Sequence, residues 1–351
     1  MRVVHVHRIA GIGGSERHLL TLLPALAAAG TDVAFVGLGA GGDPQPFYDE
    51  LDRLGVPHRV ASVRGLRRAI ASFDPDLVHT HLVHADVFGA LAAGRRPLVS
   101  TKHNDDPFRT GLFRFAERAL TRRARAVITI TEALARFQVD RVGLPRDKLT
   151  VVHYGMDAPP PAWAGNPPVA LPDSARVVLG LGRLVPQKGY DVALHAFAAI
   201  RERHPDAVLV IVGEGPERAR LERLRQELGL DESVQLPGRA GDVASWLHRA
   251  ELLLHPARWE GFGLVLLEGM LTALPVVATR VSAIPEIVAD GETGLLVQAD
   301  DAGALTAALE RILGDPAFAR RLGEAGLARA RSDFSVARMA TATAEVYRKA
   351  V

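Results

Sequence analysis

Two α/β halves, each built on a parallel sheet, are what this 351-residue sequence predicts. Three observations carry that expectation. Short apolar runs alternate with helix-like segments from one end of the chain to the other. A proline cluster (Pro159, Pro160, Pro161, Pro167, Pro168 and Pro172) interrupts the alternation near the middle. After it, the alternation restarts in the same order.

The first half opens on Met1-Arg2-Val3-Val4-His5-Val6-His7, a strand without the long apolar core of a signal peptide. Further strands are expected at residues 31–37, 76–80, 97–101, 126–130 and 149–153, after the first at 2–7. Helices are expected at 14–29, 84–93, 110–123 and 131–140. The proline cluster reads as a linker over 158–172. Second-half strands are expected at 176–182, 207–213, 233–236, 251–255 and 275–278. The last segment, 335–351, reads as a helix. The chain therefore divides into a domain of 1–157, the linker, a domain of 173–334 and a terminal helix.

Hydrophobic residues make up 48% of the chain, enough for two buried cores. The absence of cysteine excludes disulfides, thiol catalysis and cysteine–metal sites. No apolar run reaches membrane-spanning length. The longest, from Gly263 to Thr279, is broken by Glu268 and Pro275. A cytoplasmic protein is the default expectation. Residues 1–155 carry 21 Lys and Arg against 15 Asp and Glu, whereas the remainder carries 21 against 25. The basic first half suits an anionic membrane, met peripherally on its inner face, or an anionic acceptor.

Two segments of the second half carry chemistry. Leu252-Leu253-Leu254 reads as a buried strand, and Trp259-Glu260-Gly261-Phe262-Gly263-Leu264-Val265-Leu266-Leu267-Glu268 follows as a glycine-rich turn and a helix. Gly261 and Gly263 admit a ligand close to the backbone, and free N–H groups at the helix start form an anion site. Glu268 is a lone charge among apolar neighbours, costly to bury without a donor such as a hydroxyl. Two carboxylates flanking a row of N–H groups suit a ligand with phosphates in the middle and hydroxyls on either side. A nucleotide sugar has that layout. Earlier, Val177 to Gly182 reads as a strand running into Arg183-Leu184-Val185-Pro186-Gln187-Lys188-Gly189. Arg183 offers phosphate a planar fork and Lys188 a point charge, at the sheet edge where open parallel sheets bind ligands.

These motifs resemble the retaining glycosyltransferases of family 4, the group 1 family, over essentially the whole chain. The resemblance implies two Rossmann-like domains with parallel sheets facing across a cleft, the GT-B architecture. It implies a donor site in the second domain, an acceptor site in the first, and a final helix crossing back onto the first domain. Arg183 and Lys188 would hold the donor diphosphate and stabilise the charge that builds as it leaves. Glu260 would meet the sugar hydroxyls and Glu268 the ribose. Backbone groups of Gly261, Phe262, Gly263 and Leu264 would face the phosphates. The loops at Gly238 and Arg239 would border the base. Gly13 and Gly14, in Gly11-Ile12-Gly13-Gly14-Ser15-Glu16, would lie beside phosphate and acceptor. His103, at a strand end, would bond the sugar and shape the reacting face. The family often has Asn-Gly-Val-Asp where this chain has Tyr154-Gly155-Met156-Asp157.

Other readings compete. Gly11 to Glu16 is one glycine short of a dinucleotide fingerprint, with Glu16 in its place. His79, His81 and His84 invite a metal reading, since 79 and 81 share a strand face, but no third ligand type accompanies them. Asp74-Pro75-Asp76 matches an Asp-x-Asp pattern yet sits in a turn. No metal and no cofactor are expected. The basic stretch Arg114, Arg118, Arg122, Arg123 and Arg125 puts three arginines on one helical face. That face could rest on an anionic membrane or simply be solvated; no nucleic-acid motif accompanies it. The activity expected is metal-independent, retaining transfer from a UDP-sugar, or next a GDP-sugar, to a glycan, lipid or small-molecule hydroxyl. The alternatives are an epimerase or phosphorylase of the same fold, or a nucleotide-sugar-binding subunit without turnover.

Overall fold

The computed structural model describes residues 1–39, 41–104, 113–157, 171–172, 174–239 and 241–351. The chain forms two compact units. One comprises Met1–Gly155 with Phe334–Val351, and the other Met156–Asp333. Of the expected linker, residues 158–170 lie outside the described residues.

In the first unit β1 (Arg2–Arg8), α1 (Gly14–Ala28), β2 (Asp32–Leu38), α2 (Gln45–Arg53), β3 (His58–Ala61) and α3 (Leu66–Ala71) come first. They are followed by β4 (Leu77–His81), α4 (Leu82–Ala92), β5 (Leu98–Lys102), α5 (Phe113–Arg123), β6 (Ala126–Thr129), α6 (Glu132–Phe137) and β7 (Leu149–Val151). The strands form one parallel sheet in the order β3-β2-β1-β4-β5-β6-β7. Parallel strands covered on both faces read as short buried runs, and β1, β2, β4, β5 and β6 fall close to where the sequence places them, although β1, β4 and β5 also bury polar residues. The sequence reading lacks β3, α2 and α3. β3 is an edge strand of four residues with Arg59 and Val60 exposed, so it offers no apolar run. The helix expected at 131–140 instead stops at Phe137 and continues as a π turn, Gln138–Val142, ended by Gly143 in the left-handed region. The start expected for α5, at 110–112, lies outside the described residues.

The second unit runs β8 (Arg176–Leu181), α7 (Tyr190–Ile200), β9 (Ala207–Val212), α8 (Arg218–Glu227), β10 (Val234–Gly238), α9 (Val243–Arg249) and β11 (Leu252–His255). Then come α10 (Leu264–Leu271), β12 (Val276–Thr279), α11 (Ile284–Ile287), β13 (Leu295–Val297), α12 (Ala302–Gly314) and α13 (Pro316–Asp333). Its sheet is also parallel, ordered β10-β9-β8-β11-β12-β13. β13, a three-residue edge strand, is apolar and mostly buried but too short to stand out as a strand in the sequence.

The last helix, α14 (Val336–Ala350), buries Met339, Ala340, Thr343, Val346, Tyr347 and Ala350, a stripe at helical spacing. Met339, Val346 and Tyr347 join Val3, Leu22, Phe35 and Val99 in one apolar cluster of the first unit. Ser335 caps its start, accepting from the Arg338 N–H. Among the described residues no helix is long and apolar enough to cross a membrane.

Candidate functional site

In the second unit the two loops singled out by sequence leave neighbouring strands, β8 and β11, at the point where the strand order reverses. Open α/β sheets bind ligands at such a point. Backbone bonds join the β8 loop to the next loop along: Gly182 N–H donates to the Val212 carbonyl (3.0 Å) and Leu184 N–H to that of Glu214 (2.9 Å). Pro186–Lys188 form one 3-10 turn closed by Gly189 at φ 65°. A Cβ at Gly189 would overlap the Pro256 carbonyl oxygen, so glycine is what lets the β8 and β11 loops touch.

Arg258 braces that contact. Its guanidinium forks onto Asp191 with two bonds of 3.0 Å and reaches Asp300 at 2.7 Å and the Pro186 carbonyl at 2.6 Å. The brace presents Lys188 to Glu260. Lys188 Nζ donates to Glu260 Oε2 at 2.5 Å, with the two side chains only 15% and 12% exposed. His255, the last residue of β11, meets the same oxygen through Nε2 at 2.9 Å, and the Gly261 N–H donates to Oε1 at 3.2 Å. Burial by itself would raise the Glu260 carboxyl. The His255 hydrogen bond and the Lys188 charge outweigh it and hold the group down at about 2. His255 is pushed down by burial and by the Lys188 charge, against the pull of Glu260.

The other predicted positions lie around this pair. Gly263, at φ 92°, caps α10, whose first turn directs N–H groups without intrahelical partners toward the loop. Phe262 is buried, Leu264 opens the helix, and Glu268 is half-buried one turn further on. Arg183 is exposed and has no ion pair among the described residues. Gly238 ends β10, its carbonyl accepting from the Gly213 N–H at 2.8 Å, and Arg239 beside it is exposed. Sequence reasoning missed three residues here: Arg258, His255 and Tyr190. Tyr190 opens α7, and its buried hydroxyl has no hydrogen-bond partner among the described residues. Burial and the Glu260 charge push that hydroxyl up. The local signal for His255 was a polar residue ending the apolar run Leu252-Leu253-Leu254, five before Glu260.

In the first unit Gly13 and Gly14 open α1 after β1. Glu16 closes that turn: Oε2 accepts from the Gly13 N–H and the Ser15 hydroxyl, each at 3.0 Å, and Oε1 meets His7 Nε2 at 3.1 Å. Burial opposes the Glu16 charge, but the His7 contact and these donors hold its carboxyl below the usual range. A carboxylate thus occupies the helix start where a dinucleotide fold would place pyrophosphate.

His103 stands at the end of a buried chain of polar groups. Tyr154 Oη meets His103 Nδ1; His103 Nε2 meets His81 Nδ1 (3.0 Å); His81 Nε2 meets His5 Nδ1 (3.0 Å). His5 Nε2 meets Tyr347 Oη (3.3 Å), Tyr347 Oη meets His79 Nδ1 (2.6 Å), and His79 Nε2 meets the Thr101 hydroxyl (2.7 Å). Burial pushes His5 down to about 3, and His79 and His81 well below their ordinary value, so these rings are neutral. A neutral ring carries one proton, and each link needs one donor. With one proton on each ring, His5, His81 and His103 share one tautomer, all on Nε2 or all on Nδ1, and keeping the Tyr347 hydroxyl proton within the chain gives His79 the same one. His103 therefore spends both ring nitrogens inside the protein, which leaves a ligand its ring edge and backbone. His18 stacks on Tyr154 with centroids 4.2 Å apart, and its buried Nδ1 has no hydrogen-bond partner among the described residues.

The structure changes the membership of the histidine group. His5 on β1, not His84, joins His79 and His81, and their ring nitrogens lie within 4.8 Å of one another. His84 instead accepts from Arg8 at 3.1 Å. Each nitrogen of His5, His79 and His81 already has a hydrogen-bond partner, so a metal would have to displace one.

Comparison with known proteins follows the same division. Residues 12–158 match the family model described as Glycosyltransferase Family 4, and residues 166–329 that described as Glycosyl transferases group 1. The chain is 30% identical to a glycogen synthase of Mycobacterium tuberculosis, covering 96% of this chain and 91% of the relative. It is 33% identical to a D-inositol 3-phosphate glycosyltransferase of Streptomyces scabiei, covering 87% and 75%. Among solved structures, Anabaena Alr3699/HepE in complex with UDP and glucose aligns with a TM-score of 0.84 at 21% identity, covering 99% of each chain. Sucrose-phosphate synthase of Thermosynechococcus elongatus aligns at 0.80 with 24% identity, covering 99% and 98%. With two parallel-sheet α/β units and relatives of these names, the chain belongs to the group 1 glycosyltransferases of family 4 and is a glycosyltransferase of the GT-B fold.

Proposed function

We propose that this glycosyltransferase takes its sugar from a nucleoside-diphosphate sugar, UDP-linked first and GDP-linked next. It passes the sugar, with retention and without a metal, to a hydroxyl of a glycan, lipid or small molecule. The observation that carries the reading is the buried Lys188–Glu260 pair, held by His255 at the reversal point of the second sheet.

Enclosing an ion pair costs desolvation that its own attraction offsets only in part, so a ligand anion can take the place of one member. In the donor complex Lys188 exchanges Glu260 for a phosphate oxygen, and the exposed Arg183 takes the second phosphate. Two fixed cations then meet the charge that develops on the leaving diphosphate, the part a divalent metal plays in other sites. His255 keeps Glu260 Oε2 hydrogen-bonded after Lys188 turns away, so the carboxylate stays aimed at the sugar hydroxyls. Glu268, half-buried on α10, holds the ribose, and the N–H groups of Gly263 and Leu264 add to the phosphate cradle. The Gly238–Arg239 edge borders the base. His103 shapes the reacting face beside Gly13 and Gly14 as a fixed ring, not as a base, because both of its nitrogens are occupied. The Alr3699/HepE neighbour was solved with UDP and glucose, which supports a uridine donor.

Calorimetric titration with UDP, GDP, ADP and CMP, in chelator and without added metal, tests this. Selective micromolar binding of one diphosphate, lost in Lys188→Ala, is expected. No binding of any of the four by the wild-type chain overturns the donor reading. The anomer of the product, read by proton NMR, checks retention.

A further inference from the structure

The basic stretch around α5 is not used by the donor site, and its cations differ in what they hold. Arg123 donates to the carbonyls of Gly94 (2.6 Å) and Arg96 (2.7 Å). Lys148 Nζ donates to the carbonyls of Thr121, Arg122 and Ala124 at 3.1, 3.2 and 3.0 Å, neutralising the carboxyl end of α5. Arg146 pairs with Glu132. Arg118 and Arg122, one turn apart and exposed on α5, hold no partner among the described residues.

Those two arginines line the same cavity of about 410 Å³. Its other described walls are Val139, Gly143, Leu144, Pro145 and Lys148. The π turn Gln138–Val142 brings Val139 to it, and Gly143, in the left-handed region, ends that turn beside the Arg118 guanidinium. Like charges at i and i+4 repel, and no carboxylate stands among the described lining to offset them. The field of three cations is therefore focused into a walled concavity. Planar guanidinium forks fit the oxygens of a phosphoryl group. Val139, Leu144 and Pro145 supply apolar walls for the body that carries it, in a volume typical of small-ligand sites.

We propose that this cavity binds a phosphomonoester, with Arg118 and Arg122 forked onto the phosphoryl oxygens. Lys148 adds its field from behind, and the ligand body lies on Val139, Leu144 and Pro145. The site lies in the first unit and shares no residue with the proposed donor site. A soluble sugar phosphate and the headgroup of a phosphatidic acid present the same chemistry.

The experiment uses the full chain. Inorganic phosphate and a hexose phosphate are titrated calorimetrically, and vesicles of phosphatidylcholine with and without phosphatidic acid are co-sedimented. Arg118→Gln/Arg122→Gln is compared with Arg125→Gln, which removes an exposed charge outside the cavity lining. The double variant is expected to weaken binding about tenfold or more, with Arg125→Gln near wild type. UDP binding and the thermal transition should be unchanged in both, since all three side chains are exposed. A hexose phosphate bound in solution identifies a soluble ligand; binding to phosphatidic acid vesicles alone identifies a headgroup. No binding of phosphate, hexose phosphate or vesicles by the wild-type chain overturns the site. Equal loss in Arg125→Gln also overturns it, because diffuse charge would then suffice.

Discussion

In the first unit, His5, His79, His81 and His103 stand as hydrogen-bonded rings on three adjacent strands. In the second, Lys188 and Glu260 meet as full charges at the corresponding reversal of an equivalent sheet. The difference teaches what each place can be used for. Neutral imidazoles linked nitrogen to nitrogen satisfy one another and can be fully buried; they hold a shape. A buried lysine–carboxylate pair next to an exposed arginine has its charge ready for a ligand that brings charge of its own.

Acid should separate the two units most strongly. His5 and His18 are held at about 3, below the ordinary imidazole value of 6.5. As pH falls below 6.5, the unfolded chain takes up protons that the folded rings refuse. The first unit therefore loses stability from pH 6.5 downward, by up to about 1.4 kcal/mol per pH unit for each such ring. His79 and His81 act in the same direction. Glu260 acts in the same direction but in a lower window: its contribution is complete above 4.5 and is lost as pH falls toward 2. Hydrogen exchange at pH 7 and pH 5, corrected for intrinsic rates, should show protection falling further in β1, β4 and β5 than in β8 and β11, where His255 acts in that direction. Equal losses in both sheets would break the comparison.

A smaller effect is expected from Tyr347→Phe. The hydroxyl bridges His79 and His5, and its removal leaves two buried nitrogens unpaired. The cost should be about 1–3 kcal/mol in chemical denaturation. Nitrogen-15 NMR of wild-type histidines should show one shared tautomer for residues 5, 79, 81 and 103, scrambled in the variant. Mixed tautomers in the wild-type chain would refute the relay. The same substitution in the second unit, Tyr190→Phe, should have the smallest effect. Its buried hydroxyl already lacks a partner among the described residues, so stability should stay within about 0.5 kcal/mol or rise. A clear loss would mean that this hydroxyl is satisfied after all.

The legible parts of the protein are those written within one stretch of chain. Arg183, Lys188, Glu260 and Glu268 could be singled out because a strand, its loop and the following helix are contiguous. Two edge strands were not legible: β3 is half exposed and offers no apolar run, and β13, though apolar, is only three residues long. Nor was the pairing of Glu260 with His255, although both lie in one segment, because a histidine ending a strand has many possible partners. The histidine relay was still less so. His5, His79 and Thr101 come together through the register of β1, β4 and β5, and Tyr347 reaches His79 across 268 positions of sequence.

By itself, then, the sequence determined the alternation of strands and helices, the two halves and the residue types at the carboxyl ends of β8 and β11. Period and apolar run length are local properties, set by backbone geometry and burial. The tertiary structure decided which charges are spent and which remain. It spends Lys148 on helix carbonyls and leaves Arg118 without a partner among the described residues; it closes both nitrogens of His103 and points Lys188 at Glu260. Partners across a sheet or between loops depend on register and packing over long separations, and no single stretch of chain carries that information.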